Sequence, residues 1–85
     1  MHEPSLRELK SRGQLLKPSI RLGKAGMTEE FLAAFGKVLE TNKIVKLRFE
    51  CLKDQRKELS KRLAEISQSI LVHQVGHTAV FYRHS

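Results

Sequence analysis

Ile20-Arg21-Leu22-Gly23-Lys24-Ala25-Gly26-Met27-Thr28 joins two kinds of secondary structure and sets the reading of the whole chain. The apolar run that ends at Leu22 lies between Pro18 and Gly23, too short for a helix, and reads as a brief strand over Ser19 to Leu22. Thr28 is a good helix N-cap. Glu29 and Glu30 after it complement the positive end of a helix dipole, and Met27 and Leu32 are spaced to staple the entry. Between strand and helix lies a GxxG turn, Gly23-Lys24-Ala25-Gly26. Glycines tolerate positive φ and let bare backbone N–H groups approach a ligand, while Lys24 adds a cation, so the turn suits a phosphate. The same residues also suit a plain turn whose glycines only close the chain, and the motif alone leaves both readings open.

Working outward, Phe31, Ala34, Phe35, Val38 and Leu39 share one helical face, so the second helix runs from Thr28 to about Thr41 or Asn42, with Gly36 read as a point of close packing. Upstream, Ser5-Leu6-Arg7-Glu8 fits a capping box. Leu6, Leu9, Gly13 and Leu16 mark the inner face of a first helix that Pro18 ends by Leu16 or Lys17. From Ile44 to Cys51 the period changes to two: Val45, Leu47, Phe49 and Cys51 face one way, Lys46, Arg48 and Glu50 the other. A third helix is predicted from about Asp54 to Ser69, with Leu59, Leu63, Ile66 and Ile70 on its stripe. Leu71 to Val75 and Ala79 to Tyr82 are strand-like runs around Gly76-His77-Thr78, a spacing that suits a tight hairpin. The order α-β-α-β-α-β-β predicts one domain over residues 1–85, an α/β (α+β) sandwich with one sheet face covered by amphipathic helices.

Composition narrows the function. Sixteen Lys and Arg against nine Asp and Glu give a net charge of +7 in 85 residues, which favours a polyanionic partner and places nucleic acid ahead of an acidic membrane surface. One cysteine, Cys51, allows no internal disulfide framework or cysteine metal cage, and no apolar run has the length of a membrane span. A soluble, cytoplasmic protein is the expectation. Cys51 lies on the apolar face of its strand. His73 and His77 are four apart, but in a strand and turn that do not align them, and His2 and His84 add no evident third ligand. Neither an enzyme nor a metal or cofactor site is expected.

Leu16-Lys17-Pro18, the Gly23-Lys24-Ala25-Gly26 turn, Ile44-Val45-Lys46-Leu47-Arg48-Phe49 and Val75-Gly76-His77-Thr78-Ala79-Val80-Phe81-Tyr82-Arg83 stand in the order of the CRM domain, the chloroplast RNA splicing and ribosome maturation family. The chain resembles that family from the first helix to Arg83, and within it the free-standing bacterial YhbY-like proteins. The resemblance implies a four-stranded mixed sheet packed against three helices, similar to the C-terminal domain of translation initiation factor three. It also implies an exposed GxxG loop beside the second helix, RNA binding, and association with precursors of the large ribosomal subunit. Met27 stands where most family members have leucine and is expected to fill the same apolar role.

The expected RNA contacts are the N–H groups of residues 24 to 28, spanning Gly23, Lys24, Ala25, Gly26, Met27 and Thr28, with the positive end of the second helix behind them. Arg12, Lys17 and Arg21 are expected to extend the positive surface on one side, and Lys46 and Arg48 share a strand face suited to an RNA track unless a helix covers it. Tyr82 suits core packing better than base stacking, and His77 reads as a turn residue. The partner expected is RNA, rRNA in pre-large-subunit particles, bound by a monomer; ribosomal proteins are further candidates. The alternatives are a protein-docking module with little RNA affinity of its own and, less favoured, a DNA-binding regulator, whose recognition helix would open on Glu29 and Glu30.

Overall fold

Ser5 caps α1 (Leu6–Leu15) as its spacing predicts, its Oγ accepting from the Glu8 N–H at 3.2 Å, and the helix ends before Pro18 with the Leu16 N–H donating to the carbonyls of Arg12 and Gly13. The computed structural model describes residues 5–50 and 53–83. After α1 come β1 (Ile20–Leu22), α2 (Glu29–Asn42), β2 (Ile44–Phe49), a 3-10 turn at Lys53–Gln55, α3 (Arg56–Ile66), β3 (Ile70–Val75) and β4 (Thr78–Tyr82). The four strands form one mixed sheet in the order β1-β2-β4-β3, with β1 parallel to β2 and the other pairs antiparallel. Three helices and a four-stranded mixed sheet are the expected α+β architecture.

Strand alternation divides the side chains between two layers. Leu22, Val45, Leu47, Phe49, Ala79 and Phe81 face α2 and α3 and pack on Phe35, Leu39 and Leu63. Phe35 is the pivot: its ring meets Phe81 edge-on at 5.1 Å and stacks with Phe31 at 5.9 Å. Burying a side chain of this size is worth roughly 1.5–3 kcal/mol. On the opposite face Leu9 of α1 packs with Val72 and Val80, joined by Ile44 and Tyr82.

That second cluster corrects the sequence reading, which put helices on one sheet face only. The sign was present in Ala79-Val80-Phe81, buried in succession, as a strand covered on both faces requires. A bulge in β3 serves the same layer. Leu71 pairs with Phe81 and His73 with Val80, so Val72 is the extra residue and both Val72 and His73 turn toward the α1 side.

Smaller departures have local causes. α3 is shorter than predicted because Ser67 caps it and Gln68 takes a φ of +55°, which leaves Ile66 and Ile70 at 55% and 50% exposure. Ala34 and Leu6 are exposed. Ser60, wholly buried, satisfies its hydroxyl on the Arg56 carbonyl at 2.7 Å. The hairpin turn is two residues long, with Gly76 at φ +55° as the first, and Thr78 already pairs with Val75.

Gly36 does not serve close packing: a Cβ there meets nothing within 4 Å. At Gly13 a Cβ would lie 2.8 Å from Val80 Cγ2, on a β-branched side chain with little freedom to move. Chemical denaturation should therefore separate the two glycines. Gly36→Ala is expected to raise stability by about 1 kcal/mol through helix propensity. Gly13→Ala is expected to lower it by about 1 kcal/mol, as overpacking outweighs the same propensity gain.

Candidate nucleic-acid interface

The loop that follows β1 is fixed at both ends by the sheet and by α2. The Ser19 N–H donates to the Lys46 carbonyl at 2.9 Å and the Glu50 N–H to the Leu22 carbonyl at 3.0 Å, so β1 is bonded to β2 just outside its own register. Thr28 then starts α2, its Oγ1 accepting from the Phe31 N–H at 3.1 Å. Met27 and Leu32, the expected staple, both pack against the main core. Within the loop the Gly26 N–H donates to the Gly23 carbonyl at 3.1 Å, closing a turn with Lys24 and Ala25 at its centre. Neither of those two has positive φ; Gly26, at +78°, does. The Thr28 N–H returns to the Gly26 carbonyl at 3.0 Å across Met27.

These bonds change the expected donor set. Of the N–H groups of residues 24 to 28, those of Gly26 and Thr28 are used by the loop itself, and those of Lys24, Ala25 and Met27 have no partner among the described residues. Gly23, Lys24 and Ala25 are exposed, Gly26 and Met27 half-buried. Met27 and Thr28 thus commit their side chains to the core and the cap. Glu29 and Glu30 occupy the first turn of α2, and their carboxylates offset the positive end of its dipole. An anion is therefore favoured on the Lys24 side of the loop rather than on the α2 axis.

Arg21 and Arg48 are direct neighbours in the β1–β2 register and stand on the α1 side of the sheet, beyond the part that α1 covers. With Glu50 and His77 they line one shallow depression over Phe49. Arg21 meets Glu50 at 3.3 Å, the side chains being 71% and 44% exposed. Lys46, two residues before Arg48, lies on the same sheet face and lines the adjoining cleft with Gly13 and Val80 of that layer. Part of the strand face is thus covered, as the sequence left open, and part is free. Arg12 and Lys17 are exposed, but share no hydrogen bond, ion pair or depression with the loop among the described residues.

Sequence reasoning missed two contributors. In sequence Glu50 is an outward-facing strand residue, and in the structure it pairs with Arg21. Arg56, from the first turn of α3, donates to the Gly76 carbonyl and approaches His77 Nδ1 at 3.2 Å. Guanidinium is a donor only, so Nδ1 accepts, which suits the turn role of His77 rather than a phosphate contact. The Phe49 N–H donates to the His77 carbonyl at 2.7 Å and joins the hairpin turn to the end of β2. No sequence spacing points to these long-range contacts. Among the described residues no group of three or more His, Cys, Asp and Glu is placed to hold a metal ion, and no helix is long and apolar enough to cross a membrane. Cys51, His2 and His84 lie outside the described residues.

Residues 1–83 match the CRS1/YhbY (CRM) domain. The chain belongs to that family. Among its relatives, "Probable RNA-binding protein PA4753" of Pseudomonas aeruginosa is 32% identical over 78 residues, covering 91% of this chain and 75% of that protein. "Probable RNA-binding protein YqeI" of Bacillus subtilis is 26% identical over 80 residues, covering 93% and 83%. Among solved structures, that of "the hypothetical protein SAV1595 from Staphylococcus aureus, a putative RNA binding protein" matches this CRM domain with a TM-score of 0.82 and 31% identity, over 94% of this chain and 84% of that one.

The turn geometry gives the two loop glycines different roles. Gly26→Ala places a side chain at positive φ and should lower stability by about 1–2 kcal/mol in thermal or denaturant unfolding. Gly23→Ala, where a Cβ meets open space, should stay within about 0.5 kcal/mol of the parent.

Proposed function

We propose that this CRM domain is an RNA-binding protein that holds the RNA backbone on the Lys24 side of the glycine loop and on the Arg21–Arg48 pair beside it. One observation carries the reading: a turn with unpaired N–H groups and an exposed lysine ends the same strand that places Arg21 next to Arg48. Phosphates are the ligands that such a mixture of short-range donors and exposed cations serves best. The relatives named above as RNA-binding proteins support the same partner. We further propose rRNA in precursors of the large ribosomal subunit as the RNA, assembly of that subunit as the setting, a cytoplasmic location, a monomer, and binding without catalysis.

A second reading keeps one observation in its favour. Leu32, Gly36 and Ile66 border a groove between α2 and the end of α3, with Ser67, Gln68 and Arg83 on its rim. A module that docks on ribosomal proteins would use that groove and bind free RNA weakly whatever the loop carries.

Salt dependence and charge reversal separate these readings. With about 3 to 6 phosphates contacted, the logarithm of affinity for single-stranded RNA should fall against the logarithm of salt with a slope of about −2 to −4. Lys24→Glu should weaken binding at least about tenfold at physiological salt. On lysate gradients a Gly23→Asp, Lys24→Glu protein should leave the pre-ribosomal fractions; equal comigration of variant and parent would remove the loop from the mechanism.

Glu50 offers a test in the opposite direction. An exposed ion pair is worth about 0–1 kcal/mol, so a phosphate displaces it readily but still has to face the Glu50 carboxylate. Glu50→Gln should raise RNA affinity about two- to fivefold in a filter-binding titration. Unchanged or weaker binding would place the RNA away from Arg21.

A further inference from the structure

Beside the contact of Gly13 with Val80, a cleft lies between the second half of α1 and the sheet. Gly13, Val75 and Val80 give it an apolar lining. Lys46, His73, Thr78 and Gln14 complete it with polar groups. We propose that this cleft is a nucleobase pocket, which takes one unstacked base of the bound RNA and reads it with the Lys46 ammonium and the His73 ring. The inference rests on the RNA-binding reading above.

Three observations carry it. Lys46 and His73 both pair with Val80, from opposite sides, so ammonium stem, valine and imidazole form a row across β2, β4 and β3. Strands lie about 4.8 Å apart, which sets the two polar groups on either side of Val80 and about 10 Å from each other at the backbone. His73 reaches this face because of the bulge at Val72; with regular alternation Val72 and His73 could not both face α1. Lys46 and His73 are half-buried, and neither side chain has a hydrogen bond or ion pair among the described residues. Half-buried donors without partners beside an apolar floor are what a flat heterocycle with polar edges requires.

Position supplies the route. Lys46 and Arg48 lie about 7 Å apart on one face of β2, and Arg48 neighbours Arg21, three residues before Lys24. A strand whose phosphates follow Lys24, Arg21 and Arg48 therefore arrives at the cleft mouth. The chemistry also sets a preference. Lysine has three donors and no acceptor, and the Thr78 hydroxyl already donates to the Val75 carbonyl at 3.2 Å. A base edge rich in carbonyl acceptors, uracil or guanine, suits this lining better than the amino group of adenine.

The test compares octauridylate with octaadenylate by fluorescence anisotropy, with unfolding followed for each protein. The parent should prefer octauridylate by about five- to tenfold, in line with the discrimination of one or two base-edge hydrogen bonds. Lys46→Met and His73→Ala should each reduce that ratio to about twofold or less, while Lys24→Glu weakens both oligomers and leaves the ratio standing. Uridine alone should shift the amide resonances of Gly13, His73 and Thr78. Lys46→Met lowering both oligomers in parallel, with a salt slope flatter by about 0.7, would make Lys46 a phosphate contact and overturn the pocket. So would an earlier-melting Lys46→Met protein that keeps the parental ratio, since Lys46 would then serve only the C-terminal end of α1. Binding of both octamers by the parent without preference removes the pocket and leaves the RNA reading intact. Binding of neither removes the RNA reading first.

Discussion

The parallel pairing of a three-residue strand, β1, with β2 is the constraint on which the rest of this structure depends. So short a strand offers few ladder bonds. Its place is secured by the wholly buried Leu22 and by backbone bonds from Ser19 and Glu50 that extend the pairing at both ends. Parallel neighbours need a crossover, and here α2 supplies it, packed through Phe35 and Leu39 on the inner face of the same sheet. With β1 and α2 both fixed, the segment between them has little freedom. The glycine loop is thus held out from the carboxyl end of a strand, where open sheets present ligand sites.

Backbone donors in such a loop are divided between two tasks. A turn that keeps its shape without ligand must use some of its own N–H groups, and each group so used is withdrawn from binding. Here the Gly26 and Thr28 N–H groups hold the turn and the Thr28 hydroxyl holds the helix start. The Lys24 side stays open. Glu29 and Glu30 reinforce that asymmetry, because carboxylates that stabilise the start of α2 repel an anion on its axis.

How far this was legible in the sequence depended on the range of the interaction. Caps, turns and alternation are local, so Ser5, Thr28, the glycine loop and the inward set Val45, Leu47 and Phe49 could be read directly. The shorter third helix was not legible: Ile66 and Ile70 continue the helical stripe in sequence, and only the positive φ of Gln68 separates them. Placement of α1 on the second sheet face depends on which layers meet: the unbroken apolar run Ala79-Val80-Phe81 calls for a cover there but does not say which helix supplies it. Gly36 shows the same limit from the other side, since a small residue on a helix suggests close approach whether or not a neighbour is there. Within the candidate site, local pattern could place Lys24 in the glycine turn and Lys46 with Arg48 on one strand face, but it grouped Arg21 with Arg12 and Lys17; that Arg21 neighbours Arg48 depends on the β1–β2 register. The Arg21–Glu50 pair and the Arg56 contact with the hairpin turn join residues far apart in the chain.

The position of α1 also determines what sort of ligand surface the molecule offers. A sheet face covered completely would leave a cationic loop and little else; a face left bare would expose Val72 and Val80 to water. α1 takes an intermediate course. It seals the end of the face around Leu9 and ends at Leu15, two residues past the contact of Gly13 with Val80, so that the remaining strand surface grades from an apolar shelf into the Arg48–Arg21 end. Each exposed cation on that surface contributes little by itself, because water and salt screen it. Affinity then has to come from several contacts made together by one extended polyanion, whereas a compact anion would reach too few of them. An excess of seven positive charges over a chain of this length draws such a ligand in. On the proposed reading, the loop, the arginine pair and the cleft then set how it lies.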